Sequence, residues 1–304
     1  MLRRGTRIAS SSSQRRRSIL RLECLELRAN PSTLLVDDNL AQFPSAKYTS
    51  IQAAVNAASP GDQIRVYAGT YHEQVIIPSK LNNLSLIAFG APNSVKIAPN
   101  SFAADPTTEA IVHVAGAHNV KIQGFLITGA DAPTGNTKGA NYGVLVDQGG
   151  SAFVRDNHIT TIRDLTLSGE QEGIGIQFGF TNSKGTILSS GSGEAEHNLI
   201  EDYQKGGVVV IGAGSKAEVE ENVIHGVGAT NVIGQNGIQI SNGAKAEVER
   251  NVVTGNNYTG TGFVSAGILI YQTNGVLSDQ WRRSGAEPRQ WQQRRNLSVP
   301  GEQQ

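Results

Sequence analysis

The sequence predicts an all-β solenoid of short parallel strands with a short N-terminal capping helix, and three observations carry that prediction. A short motif recurs: Gly143-Val144-Leu145-Val146, Gly173-Ile174-Gly175-Ile176, Gly207-Val208-Val209-Val210, Gly237-Ile238-Gln239-Ile240 and Gly267-Ile268-Leu269-Ile270 start 30, 34, 30 and 30 residues apart. A fixed period near 30, built from short strands, belongs to a stacked repeat and not to a globular sheet. A second element recurs between these motifs. Phe153–Asn157 aligns with Glu194–Asn198, Glu218–Asn222 and Glu247–Asn251, and an aliphatic residue follows two places after each Asn (Ile159, Ile200, Ile224, Val253). Composition is the third: Gly is 35 and Asn 22 of 304 residues, against one Met and two Trp. That balance favours strands and turns rich in positive-φ positions over a helical bundle.

Taken in order, the chain opens with a basic segment. Residues 1–28 hold eight Arg and two Glu, net +6, and residues 276–304 hold five Arg and three acids, net +2. The body between keeps 13 basic and 21 acidic groups (26−8−5 and 26−2−3), net −8, although the whole chain sums to zero. An acidic body excludes a nucleic-acid partner, which needs its basic excess on the folded part. No run approaches the roughly 18 apolar residues of a membrane span. The single Cys24 excludes a disulfide framework and a cysteine-ligated metal. The expected boundaries are a basic leader or export region over 1–36, a cap with its helix over 37–61, the solenoid over 62–277, and an irregular tail over 278–304.

Thr49 or Ser50 can cap a helix whose Ile51, Ala54, Val55 and Ala58 share one face, and Pro60-Gly61 stops it. Ile64–Tyr67 and Val75–Ile77 then read as strands separated by Gly69. In the repeats, period-2 alternation turns Val144/Val146, Ile174/Ile176, Val208/Val210, Ile238/Ile240 and Ile268/Ile270 inward, each contributing roughly 1.5–3 kcal/mol when buried. Equivalent residues of neighbouring coils stack at roughly 4.8 Å, so they form ladders. Asn157, Asn198, Asn222 and Asn251 are expected at one turn, tolerating the left-handed region there, each amide bonding to the Asn of the next coil. Six to eight coils are expected. Gly275-Val276-Leu277 begins another strand, but Trp281–Gln304 lacks alternation, so the tail reads as a truncation or a shifted frame.

Two resemblances add to this. Leu22-Glu23-Cys24-Leu25-Glu26-Leu27-Arg28 with Pro31-Ser32 resembles the Arg-rich "LExLExR" leader of many large extracellular planctomycete proteins, which implies an extracellular or cell-surface location; a disordered basic arm is the plain alternative. The stretch Ile51–Ile77 resembles the opening of the pectin methylesterase and pectate-lyase-like superfamily. Membership implies a single-stranded right-handed parallel β-helix whose first coil is plugged by the helix, and it makes His72-Glu73 structural. The superfamily's substrate groove, along one parallel sheet, maps here onto the Gly-led strands and the residues just before them.

That mapping names the candidate site. Asp147, Glu172 and Lys205 on neighbouring coils form the candidate catalytic set, two carboxylates and an amine for proton transfer at a sugar. Tyr142, Gln177, Asn236 and Gln239 are the candidate substrate-binding residues; unrelated solvated side chains explain the same letters. The superfamily's catalytic signatures are missing: "GYQDT" and "DFIFG", "WIDH" and "RxPxxR", and the "NTD…DD…GHG…RIK" set. The expectation is therefore a secreted or surface β-helix protein that binds polysaccharide. A lyase, esterase or epimerase, and a structural surface module, are its rivals. No cofactor is identified beyond Ca²⁺ as a candidate. Glu196, Glu220 and Glu249 stack on one outward row and form a candidate Ca²⁺ site, with a solvated charge run as the alternative. The six His are scattered without ligand spacing.

Overall fold

The computed structural model describes residues 31–102, 109–129, 139–182 and 186–273. Three parallel sheets wind around one core. Sheet A has eight strands: Thr33–Val36, Gln63–Tyr67, Ser85–Phe89, Val120–Gln123, Ser151–Arg155, Ser192–Glu196, Lys216–Glu220 and Lys245–Glu249. Sheet B has seven, from Gly69–Tyr71 through Val95–Ile97, Leu126–Thr128, His158–Ile162, Leu199–Tyr203 and Val223–Thr230 to Val252–Tyr258. Sheet C also has seven: Val75–Pro78, Ala110–Ala115, Tyr142–Asp147, Ile174–Phe178, Gly206–Ile211, Asn236–Ser241 and Ala266–Tyr271. Each coil runs A, B, C and returns to A, so seven to eight rungs stand where six to eight were expected. The first strand begins at Thr33, ahead of the expected cap boundary at residue 37. The leader before residue 31 and the tail from 274 onward, Gly275–Leu277 included, lie outside the described residues.

The helix spans Ile51–Ala57, and Ser50 caps it by accepting from the Ala53 amide at 3.2 Å. Ile51, Ala54 and Val55 are fully buried against the first coil. Glu73 has the structural task its position implied. Its carboxylate accepts from the Ile51 and Gln52 amides (2.7 and 2.8 Å) and the Ser50 hydroxyl (2.7 Å), answering donors that a helix start leaves unpaired. Gly69 opens a strand of sheet B and does not merely separate two strands. Among the described residues no helix is long and apolar enough to cross a membrane.

Val144, Val146, Ile176, Val208, Val210, Ile238 and Ile240 are buried in the core, as alternation required. The Asn ladder is present: Asn157, Asn198 and Asn222 each donate from Nδ2 to the next rung's Asn Oδ1 at 3.1, 2.9 and 2.9 Å. The left-handed residue, however, is the one before each Asn. Asp156, His197, Glu221 and Arg250 have φ of 55, 55, 55 and 54°. Only the turned residue's side chain leaves the barrel, so the Asn that follows is aimed inward, where it is buried and bonded.

The repeated glycines open sheet C for a steric reason that alternation does not contain. A Cβ on Gly143, Gly175, Gly207 or Gly237 would lie 2.7, 2.6, 2.5 or 2.2 Å from a methyl of Ile159, Ile200, Ile224 or Val253. The corner between sheets B and C closes only without a side chain. Gly175, and not the Gly173 of the repeated motif, is therefore the equivalent of Gly143 and Gly207; it faces inward, not outward as simple alternation placed it, and Tyr142 and Ile174 turn to the outer face.

Candidate functional site

The outer face of sheet C is closed over its early rungs and open at its late ones. Ala110, Tyr142, Leu145, Ile174 and Val209 form a second apolar cluster outside the barrel, with Phe180 and Ile211 packed against it. Val209 is 2% exposed, so an outward position in this sheet is not a solvent position. Part of the cover is the segment that follows Phe178. It forms a small antiparallel hairpin, Phe180–Thr181 with Ile187–Ser189. Phe180 meets the Tyr142 ring edge-on at 6.2 Å, and the Ser189 hydroxyl donates to Asp147 Oδ2 at 3.3 Å.

Within this covered part, the Tyr142 hydroxyl is pushed up to about 12, first by burial and then by the charges of Glu172 and Asp147, against a hydrogen bond with Gln177. Gln177 also donates to the Gly179 carbonyl at 3.0 Å. Asp147 Oδ1 bonds His113 Nε2 at 2.8 Å, and both side chains are nearly inaccessible. The Tyr142 hydroxyl thus feels both Glu172 and Asp147, which lie towards opposite ends of the strands. Lys205 is at the Glu172 end, far from Asp147. Strand register (Tyr142↔Ile174↔Gly206) puts Lys205 level with Asn141, six positions before Asp147, roughly 20 Å along the strand at about 3.3 Å per residue. Its ammonium donates to the Gly234 carbonyl at 2.8 Å, and burial holds its pKa below the ordinary lysine value. The three candidate catalytic side chains do not converge on one reacting atom.

The late rungs differ. Asn236 Nδ2 donates to Gln239 Oε1 at 3.1 Å, and Gln239 Nε2 donates to Ser241 Oγ at 3.0 Å, a polar chain along one strand. Asn236 is 3% exposed and its Oδ1 is buried with no hydrogen-bond partner. Gln239 above it is only half-buried, and the next rung places Tyr271, 48% exposed, beside Ser241. Two of the candidate binding residues, Asn236 and Gln239, belong to this open end, and two, Tyr142 and Gln177, to the covered one.

Sheet A carries the acidic ladder. Glu196, Glu220 and Glu249 are in register on successive rungs, with Glu194, Glu218 and Glu247 two residues upstream. Positive charge reaches them from the chain itself. Arg155 pairs with Glu194 and, at 3.0 Å, with Glu196; Arg250 contacts Glu249 at 2.6 Å and Glu221 at 2.7 Å, and also pairs with Glu220 at 2.5 Å. Arg155, Ala195 and four of the Glu line a depression of about 210 Å³. Among the described residues no group of three or more His, Cys, Asp or Glu is arranged to hold a metal ion.

Sequence reasoning missed His113, Ser189 and the two arginines. Ala110–Ala115 lacks the Gly-led motif, so His113 could not be matched to its ladder neighbour Leu145 without the register. Arg155 and Arg250 sit on or beside the aligned Asn turns, and their signal was a cation at the ends of an otherwise acidic row.

A family model for the right-handed β-helix region matches residues 108–280, more than half of the chain. No curated protein matches the sequence. Among solved structures, XylC in complex with xylose is similar at a TM-score of 0.52 and 11% identity, over 80% of this chain and 62% of that one, so the chain spans less than two thirds of XylC. The pectin methylesterase of Aspergillus niger aligns at 0.45 and 14% identity, covering 81% and 86% of the two chains. The carrot enzyme aligns at 0.40 and 15% identity, covering 82% and 84%.

Proposed function

The chain belongs to the right-handed β-helix family, and on that footing we propose that it is a secreted or cell-surface protein that binds polysaccharide at the open end of sheet C. The supporting observation is the Asn236–Gln239–Ser241 row with its unanswered Asn236 oxygen. A buried acceptor left unpaired costs about 1–3 kcal/mol. A sugar hydroxyl donating to Asn236, after the half-exposed Gln239 side chain swings aside, recovers that cost. Gln239 then offers a neutral donor and acceptor, with the buried Ser241 beneath it, and the Tyr271 ring offers an apolar face to a pyranose. No charged group takes part in this row, and the body of the chain carries a net −8, so the fitting ligand is a neutral glycan and not a polyuronate. The basic leader supports export. The fold is shared with carbohydrate-active enzymes, but the failure of Asp147, Glu172 and Lys205 to converge favours binding over turnover.

The test is affinity electrophoresis of the full chain through neutral and uronate polysaccharides, xylan first because XylC was solved with xylose. Retention by a neutral polymer, lost roughly tenfold in Asn236→Ala and in Gln239→Ala with unchanged melting curves, is the expected result. Retention that ignores both substitutions moves the site elsewhere. Product release abolished by Glu172→Gln would establish the enzyme reading instead, and no retention by any polymer would leave a structural module.

A further inference from the structure

The outer face of sheet A is divided along the solenoid axis. Counting rungs from Thr33–Val36 as the first, the second and fourth present Arg65 and Lys121, and the third ends in Phe89, 51% exposed. The fifth holds Phe153 and Arg155, and the sixth to eighth hold the glutamate pairs. Register places Lys121, Phe153 and Glu194 on one row, and Arg65 and Glu249 together on the next.

We infer that this face binds a second copy of the chain in a weak antiparallel dimer. A twofold axis running along the Phe153 strand carries each rung n of one copy onto rung 10−n of the other. That operation sets Arg65 opposite the partner rung of Glu249 and Lys121 opposite that of Glu194, in both directions at once, and brings the two Phe153 rings together on the axis. An isologous interface needs this self-complementarity, and a face of one sign does not have it. Seven rungs overlap. Six spacings of about 4.8 Å, by five residues of about 3.3 Å, give about 480 Å² per copy and roughly 1,000 Å² in total. That is the low end of specific interfaces, where association is transient. Charges half-exposed at such a surface make it strongly dependent on salt.

Sedimentation velocity on the full chain tests this over a concentration series at about 50 and about 500 mM NaCl. The expected result is a concentration-dependent dimer at low salt and monomer at high salt. Arg65→Glu with Lys121→Glu should leave a monomer at low salt, as should Glu194→Lys with Glu249→Lys. Mixing the two doubly reversed chains should restore the dimer, which misfolded or merely sticky variants would not do. A monomer throughout, a dimer indifferent to either reversal, or a mixture that stays monomeric each overturns the proposal. The outcome is independent of the polysaccharide reading, whose residues lie on sheet C.

Discussion

Two ladders of identical residues run side by side along this solenoid, and they behave oppositely. Asn198 and Asn222 stack on successive rungs at the same spacing as Glu196 and Glu220, two residues upstream. An amide carries both a donor and an acceptor, so each Asn donates forward to the next Asn and also back to a carbonyl of the rung behind; Asn198 reaches Val154 O at 2.8 Å. The stack satisfies itself, and Asn157, Asn198 and Asn222 are buried. A carboxylate is acceptor only, so its stack is repulsive, about 0.9 kcal/mol per neighbour at water's dielectric and about 3.5 at an effective 20. It stays at the surface and takes its compensation from Arg155 and Arg250. Repetition stabilises a side chain only when the group complements itself.

Three experiments bear on that contrast. The largest effect belongs to Asn198→Leu. It strands the Asn157 backbone N–H and takes a donor from the Val154 carbonyl, whereas Asn222 Oδ1 keeps the Asn198 backbone N–H. At about 1–3 kcal/mol for each buried group left unpaired, a loss of about 2–5 kcal/mol and a melting point lower by about 10 °C are expected. Glu196→Gln should move it by no more than a degree or two. Equal shifts at the two positions would break the comparison.

A middle effect concerns calcium. With Arg250 in place, calcium should raise the melting temperature no more than sodium at matched ionic strength. In Arg250→Met the glutamates of the last two rungs lose their cation, and calcium should then add stability that sodium does not, by RT ln(1 + [L]/Kd). A calcium-specific rise in the parent protein would mean that Glu196, Glu220 and Glu249 already form the cation site. No rise in either would leave the ladder a solvated row.

The smallest effect is in pH. Burial raises the Glu220 pKa despite the opposing pull of Arg250, with Glu249 and Glu218 adding to the rise. The folded state therefore holds a proton on Glu220 more tightly than the unfolded chain does. Its ionised form is a net cost at neutral pH, and the cost disappears as pH falls through the folded pKa towards the unfolded value. Glu220→Gln should be slightly more stable than the parent at pH 7 and indistinguishable near pH 4. A variant less stable at pH 7 would show that the Arg250 pairing outweighs burial.

Much of this molecule was legible from residues alone. The 30-residue period, the inward Val and Ile rows, the Ser50 cap and the bonded Asn ladder depend on local alternation and on residues repeating in kind, which any one coil already displays. Which outward residues would meet solvent was not legible. Val209 and Gln239 occupy equivalent positions of adjacent strands, yet one is buried under an outer apolar cluster and the other is half-exposed. Period-2 alternation says which side of a strand a residue faces, but not what lies across from it. The hairpin after Phe178, the Gly corner that turns Tyr142 outward, and the arginines that clamp the glutamates are set by coil-to-coil register and by intervening segments of unequal length. Those relations join residues that lie from 16 positions apart, as Gly143 and Ile159 do, up to a whole coil apart, and only the stacked structure fixes them.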